Sequence, residues 1–432
     1  MNKNVKWGIG IGFGLALLAF GLFVGIQSLD KSSLRKLPKP PVFRAMIGPA
    51  RVKPKVVPGA AHLVVLAADG SLWGVGYNDW GQAGGKHAGT MAWTTNFEKF
   101  PGGSDWIDAV VLSQATVGLR RDGTLWQWGA VPGGLLVDPT NSPAQIGVAS
   151  NWVAIASGFQ HVLGRQSDGT LWCWGENLNG ELGDEIRSPQ PKPVLVNSDT
   201  DWAAAACVSS INVGLKTNGA VWAWGHFSRT VPSPNPWMEE WKDLGLFKPF
   251  QVGTDVGWIR AEPELRGIVA QHRDGSLWRM NFRELEGRTN WTRLPDVPNG
   301  VRSWSAGAFG VAAMDMDGRI WLIGQNQFGF LTRRFARSTE AWLPVGEIDS
   351  IAVAGTPGIG TGVINWKGEL LLWGRRYDDP GGDMVGMWDR TKNYLARYIP
   401  QLKPKFAVRM PAYEITPWKA LEFVPTNSAA GP

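Results

Sequence analysis

The sequence predicts an all-β fold, a seven-bladed β-propeller preceded by one N-terminal transmembrane helix, and three observations carry that prediction. The chain has 25 Trp and 55 Gly against 5 Tyr and 5 His, a bias expected where each unit of a repeat brings its own large ring and tight turns. The stretch "DGTLWCWG" at Asp168 has six relatives along the chain. Near the N terminus lies an apolar run without a single charge.

That run, "WGIGIGFGLALLAFGLFVGI" from Trp7 to Ile26, is twenty residues long. At about 1.5 Å per residue it covers the roughly 30 Å hydrocarbon core of a bilayer. Residues 1–30 are therefore expected to be a membrane anchor. A cleaved signal peptide fits less well, because the run exceeds a usual signal core and no small-x-small site follows in "IQSLDKSS". Lys31, Arg35, Lys36, Lys39 and Arg44 behind the run favour a cytoplasmic domain by charge. A short basic N terminus ahead of a single span favours the opposite, and the reading adopted is a single-pass protein with an extracytoplasmic propeller. Glycines at 8, 10, 12, 14, 21 and 25 give small-xxx-small spacings through which two such helices could pack as a homodimer.

Residues 31–56 read as a stalk, with prolines at 38, 40, 41, 49 and 54 favouring extended polyproline geometry. Its later part is a candidate strand. The net charge of +6 resides in the N-terminal segment: residues 1–55 hold ten Lys and Arg and one acid, which leaves the remainder at −3. A slightly acidic globular part argues against nucleic acid as a partner. Cys173 and Cys207 lie in no CxxC or Cys/His cluster, so they say nothing of redox compartment.

The repeat occupies residues 57–404. Its copies are "DGSLWGVG" from Asp69, "DGTLWQWG" from Asp122, "DGTLWCWG" from Asp168, "NGAVWAWG" from Asn218, "DGSLWRMN" from Asp274, "DGRIWLIG" from Asp317 and "KGELLLWG" from Lys367. Their spacings are 53, 46, 50, 56, 43 and 50 residues, the length of a propeller blade. Trp106, Trp152, Trp202 and Trp258 each lie sixteen residues before the Asp or Asn of their copy. Asp-Gly between β-prone runs predicts a two-residue hairpin turn with φ > 0 at both residues. The strand that follows puts Trp172 and Trp174 on one face and Leu171 and Cys173 on the other, both apolar, as in a strand buried between neighbouring blades.

The pattern of apolar strand, Asp-Gly, Leu-Trp-x-Trp-Gly and Asn-x-x-Gly-x-Leu-Gly resembles the regulator of chromosome condensation repeat family, and the chain reads as a membrane-anchored member. The resemblance spans residues 57–403 and implies a seven-bladed propeller. Copies 1 and 3, with "GYNDWGQAGG" and "GENLNGELGD", are nearest to the pattern, and copy 6, "GQNQFGFLTR", is nearly complete. Copies 2, 4, 5 and 7 lack the Asn-x-x-Gly tail, which makes their outer strands less certain. Asn281 replaces the strand-ending Gly in copy 5. Residues 405–432 form an extension in which 405–424 compete with 42–52 as a ring-closing strand, ahead of a tail without pattern.

Chemistry is sparse. Asp69, Asp122, Asp168, Asp274 and Asp317 share one turn position that Asn218 and Lys367 also fill, so turn geometry is required there and a carboxylate is not. His62 and His161 recur seven residues before their Asp and read as core positions near the axis. His87, His226 and His272 have no partner at metal spacing, and neither "GIGIGFG" nor "GIGTG" has the frame of a phosphate loop. No catalytic residue, metal or cofactor is expected, and the chain reads as a non-enzyme.

What remains is the loop rim. Tyr77, Asp79 and Trp80, His226 and Phe227, Phe282 and Arg283, Phe328 and Phe330, and Arg375, Arg376 and Tyr377 follow the inner hairpins, and rings and guanidinium groups are the anchors of protein interfaces. The insertion "PSPNPWMEEWKDLGLF" in copy 4 reads as a short helix lined by Trp237, Trp241 and Leu244. The function expected is that of a membrane-tethered protein–protein interaction module whose partner the sequence does not identify. The family resemblance also offers a nucleotide-exchange-like regulator of a small GTPase, and a glycan-binding or hydrolytic propeller completes the alternatives.

Overall fold

The computed structural model describes residues 51–53, 55–59, 62–85, 93–130, 143–232, 239–243, 246–282, 290–307, 310–324, 339–344, 350–355, 360–365 and 370–374. Among the described residues every regular element longer than a turn is a strand. The first copy forms β1 (Lys55–Pro58), β2 (His62–Leu66), β3 (Leu72–Tyr77) and β4 (Trp93–Lys99), and the second β5 (Trp106–Val111), β6 (Ala115–Arg120), β7 (Leu125–Gly129) and β8 (Ala144–Gln145). The third gives β9 (Trp152–Ser157), β10 (His161–Gln166), β11 (Leu171–Gly175) and β12 (Gln190–Leu195). The fourth gives β13 (Trp202–Val208), β14 (Ile211–Lys216) and β15 (Val221–Gly225), a hairpin of β16 (Ser228–Pro232) and β17 (Glu239–Asp243), and β18 (Phe250–Gln251). Then come β19 (Trp258–Glu264), β20 (Gly267–His272), β21 (Leu277–Asn281) and β22 (Thr292–Arg293), followed by β23 (Ser303–Gly307), β24 (Gly310–Met314), β25 (Ile320–Gly324) and β26 (Thr339–Pro344). The last copy contributes β27 (Ser350–Gly355), β28 (Gly360–Asn365) and β29 (Leu370–Gly374).

The first six copies are four-stranded antiparallel meanders, and the seventh is a three-stranded sheet. The sequence predicts seven like blades. What is described is six complete blades and β27–β29. Each sheet begins with a strand that lies against the first strand of the next, and β1 lies against β27 and β28. The first strand starts at Lys55, so the stalk supplies the inner strand of the first blade, two residues ahead of the expected boundary. Residues 405–424 lie outside the described residues. So does the apolar run at 7–26, and among the described residues no helix is long and apolar enough to cross a membrane.

Outer strands follow the tail motif. Copies 1, 3 and 6, which carry Asn-x-x-Gly, have outer strands of seven, six and six residues, whereas copies 2, 4 and 5 have two residues each. The copy 4 insertion is the hairpin β16–β17, with Thr230 opposite Trp241 and Val231 opposite Glu240, and not a helix. A helix of so few residues is marginal on its own, while a chain that doubles back gains a ladder partner for each residue.

The Asp-Gly turn also differs from expectation. In the third copy Gly169 N donates to Gln166 O (3.1 Å) and Gln166 N to Thr170 O (3.1 Å), and the same pair of bonds recurs in the other five complete blades. Only the glycine has positive φ, 83° at Gly169, and no Asp does. This is a three-residue connection, a type I turn closed by a left-handed glycine, in which Asp keeps ordinary backbone geometry.

Among the described residues the core lies between successive sheets, one layer at each of the five seams that join the first six. Trp174 packs toward the second blade with Trp152 and Val162, while Leu171 and Cys173 pack toward the fourth with Trp202 and Trp224, so the two faces of β11 serve two seams. The paired rings need room on the neighbouring strand. A Cβ on Gly164 would stand 2.8 Å from the Trp152 ring, and one on Gly214 would stand 2.3 Å from Trp202. Where the Trp pair is missing, in the first blade, Val65 fills that place.

Candidate functional site

The Asp-Gly end of the blades is occupied by its own hydrogen bonds. Asp168 Oδ1 accepts from Thr170 N (3.0 Å) and Thr170 Oγ1 (2.6 Å), and that hydroxyl in turn accepts from Trp172 Nε1 (2.9 Å). The relay recurs as Asp69–Ser71–Trp73, Asp122–Thr124–Trp126 and Asp274–Ser276–Trp278. In the sixth blade Asp315 replaces Asp317 and accepts directly from Trp321 Nε1 (2.9 Å). The Ser or Thr hydroxyl, then its backbone N–H, hold the Asp122, Asp168 and Asp274 carboxyls below the usual carboxylate range. These carboxylates are turn-and-Trp clamps with no free chemistry.

The opposite end is built differently. The residue after each strand-ending Gly hydrogen-bonds to the turn between the blade's first two strands: Ala130 N to Gln114 O, Glu176 N to Gln160 O, His226 N to Ser210 O and Phe282 N to Arg266 O, each 2.9–3.0 Å. The inner turns therefore share one end of the ring with the loops that follow, and Asn281 makes the same link without a glycine. Neighbouring turns also touch, through Ser113 N to Phe159 O (2.9 Å) and Phe159 N to Ser209 O (2.8 Å).

Two loops at this end are near copies. Buried Asn78 donates to Gly84 O (2.8 Å) and accepts from Ala83 N (2.7 Å), while buried Asn177 accepts from Leu182 N (2.9 Å) and donates to Asp184 Oδ1 (2.7 Å). Four residues beyond each Asn, Gln82 Oε1 accepts from Trp80 N (2.9 Å), and Glu181 accepts from Asn179 N (2.8 Å) and Nδ2 (2.9 Å). Each loop is then tied to the next blade. Thr116 Oγ1 gives its proton to Gln82 O (2.7 Å), which obliges His62 to donate to it from Nε2 (2.9 Å). Asn212 Nδ2 donates to Glu181 O (2.9 Å), leaving its Oδ1 to accept from His161 Nε2 (2.6 Å). Burial holds His62 at about 3, and it holds His161 below its ordinary value against the opposing pull of Asn212 and Glu181. Both imidazoles are neutral seam residues, as their repeat position implies.

The expected rim residues divide. Tyr77 donates to Asp79, and that bond, then burial and the Asp79 charge, push the phenol up to about 12. Tyr77, Asp79, Trp80 and His226 are half-buried at the loop end. Phe227 and Phe282 are not on the rim. Both are buried edge to face, ring centroids 4.7 Å apart, in the seam between the fourth and fifth blades, because the chain after the Gly turns inward before it emerges. Arg283, Phe328, Phe330, Arg375, Arg376 and Tyr377 lie outside the described residues. The sequence reading passed over the inner turns. Phe159 (49% exposed) and Leu265 (37%) stand at their tips, and Leu178 (59%) and Ile186 (75%) on the third loop. A signal existed for Phe159, since the equivalent residues Ser113 and Ser209 are small and polar. At the Asp-Gly end the exposed apolar side chains are Val148, Val153, Leu195, Val256, Ile259 and Met316, on linkers, strand ends and a turn. Among the described residues no three His, Cys, Asp or Glu side chains come together in a metal-binding group.

Models of the regulator of chromosome condensation (RCC1) repeat match residues 152–181 and 168–215. No curated protein matches the chain in sequence. Among solved structures the chain is similar to human WBSCR16, at 14% identity over 71% of this chain and 85% of that one, with a TM-score of 0.58. It is similar as well to Prp20p of Saccharomyces cerevisiae, at 16% identity over 78% and 85% with a TM-score of 0.57, and to yeast RCC1 (Prp20) bound to Kap60, at 18% over 69% and 77% with a TM-score of 0.55. At these identities the likeness shows the fold, an all-β propeller of RCC1 type.

Proposed function

We propose that this chain is a membrane-tethered, seven-bladed propeller that works as a protein–protein interaction module through its loop end. The observation that carries the reading is the contrast between the ends: the Asp-Gly turns repeat and satisfy themselves, whereas the loop end breaks the repeat with Phe159, Leu178, Ile186 and Leu265 left in solvent. An exposed ring at the tip of a turn, with exposed Leu and Ile on the loop of the same blade, is the kind of apolar surface that marks interaction sites in soluble domains. Prp20p of Saccharomyces cerevisiae, which has this fold, has binding properties to Gsp1p and histones, and this supports protein partners for the present chain. The −3 balance of the chain beyond residue 55 speaks against a nucleic-acid partner. Support for the tether is the uncharged run 7–26, and support for the seventh blade is β27–β29 lying against β1.

The test places a photo-crosslinking benzoylphenylalanine at position 159 and, as control, at position 168 of the full-length protein in its own membranes. An adduct at 159 and none at 168 is expected; the reverse, or none at either, overturns the reading. Carbonate washing of the same membranes checks the tether, and a topology reporter behind Pro432 checks the extracytoplasmic orientation: extraction by carbonate, or a reporter active only in the cytoplasm, overturns those parts.

A further inference from the structure

The first and third loops are the same device, and one of them carries a charge it does not need. Gln82 and Glu181 sit at one loop position, both buried, Glu181 at 2% exposed, and each receives the backbone N–H two residues earlier in its loop. Gln82 does this work as a neutral amide. A buried carboxylate in its place is costly unless a cation answers it. Buried Glu264 is answered by Arg279, which donates from Nη2 to Oε1 (2.9 Å) and holds its Nε at ion-pair distance from Oε2 (2.9 Å). Glu181 has only Asn179 on its carboxylate, and among the described residues neither it nor Glu176 has an ion-pair partner. Glu176 stands half-buried beside it, and burial together with the Glu181 charge raises the Glu176 carboxyl above its usual range.

The surroundings define what would fit. Glu176 N is bonded to the turn that carries exposed Phe159, and Leu178, also exposed, is two residues further on. Asn179, next to Leu178, reaches Ser210 Oγ of the following blade (3.4 Å). We infer that this part of the loop end receives a protein partner through a Lys or Arg side chain placed at half-buried Glu176, with the buried Glu181 charge behind it adding to the attraction and apolar neighbours packed on Phe159 and Leu178. The charge complementarity is specific to the third blade, because the first presents Gln82 at the same position. This inference rests on the loop end being the docking face.

The experiment selects random ten-residue peptides from a display library against the full-length protein in detergent micelles, in parallel with Glu176→Gln, Glu181→Gln, Phe159→Ser and, at the other end, Asp168→Asn. Wild type is expected to enrich Lys or Arg flanked by apolar residues, and Asp168→Asn to select the same peptides. Either glutamine variant should weaken the leading peptide about tenfold, as should citrulline in place of its arginine, the scale of a hydrogen bond to a charged group. Glu181→Gln keeps its fold by the precedent of Gln82, and an unchanged melting temperature verifies it. Enrichment without cations that still depends on Phe159 sinks this inference and leaves the docking face standing. Peptides indifferent to all three loop-end variants sink both.

Discussion

The first and third loops, with the seams they close, show how a repeat separates what holds a blade from what a blade is for. Both use an Asn to knit the loop, a polar residue of the next blade to accept a histidine proton, and a loop carbonyl to anchor that residue. Among their differences are one buried atom, an amide nitrogen in Gln82 and a carboxylate oxygen in Glu181, the exposed Leu178, whose counterpart is the Asp79 that accepts from Tyr77, and Glu176 in the place of Tyr77. Shared features are structural because both loops fold with them. Departures carry information because the fold runs without them.

The comparison can be broken at its histidines first. His62 sits near 3 in the folded chain and near 6.5 when unfolded, so the unfolded chain takes up a proton that the folded one refuses. The stability His62 contributes is whole above about pH 6.5 and is lost as pH falls toward 3, by up to about 4–5 kcal/mol. Denaturant unfolding of His62→Gln across that window should show a shallower decline than wild type; equal slopes would mean that the imidazole is not held neutral. His161→Gln should act in the same direction.

Volume is the next difference. Gly164→Val drives methyls into Trp152 and Trp174 and should cost about 3 kcal/mol in thermal unfolding. The first blade, which keeps Val65 at that place, should lose about 2 kcal/mol on Val65→Ala from the cavity alone. A smaller effect belongs to the turns. Thr170→Val removes both the donor to Asp168 and the acceptor for Trp172, with an expected loss of about 1 kcal/mol and a shift in Trp fluorescence. Least of all, Glu181→Gln should change stability by under about 0.5 kcal/mol, while Gln82→Glu, which buries a new charge, should cost more. If the two exchanges cost the same, the loops are not the equivalents described above.

Much of the fold was legible because repeats report twice. The Asp-Gly position tolerated Asn218 and Lys367, which marked it as a turn before any coordinate did. Copies 1, 3 and 6, which carry the Asn-x-x-Gly tail, have the longer outer strands, and in copies 1 and 3 the tail's Asn knits the loop that leads to them. The turn type was misread because Asp-Gly suits both a two-residue turn and a type I turn with a following glycine, and only the bond from Gln166 N to Thr170 O separates them. Phe227 and Phe282 were misplaced on the rim because the direction of a side chain just past a strand depends on the neighbouring blade. Phe159 was passed over because a ring on an apolar strand end looks like core.

By itself the sequence determined the repeat, the strand-turn-strand grammar, the seam positions of Trp and His, and the structural standing of the aspartates, all of which are local or periodic and need only residue spacing. Tertiary structure decided which carboxylates are answered and which are not. Glu264 and Glu181 are both glutamates in a line of text, and only the packing of one blade on the next gives Arg279 to the first and leaves the second, beside Glu176, facing no cation among the described residues. Charge compensation is a matter of distance through space, and sequence spacing does not encode it.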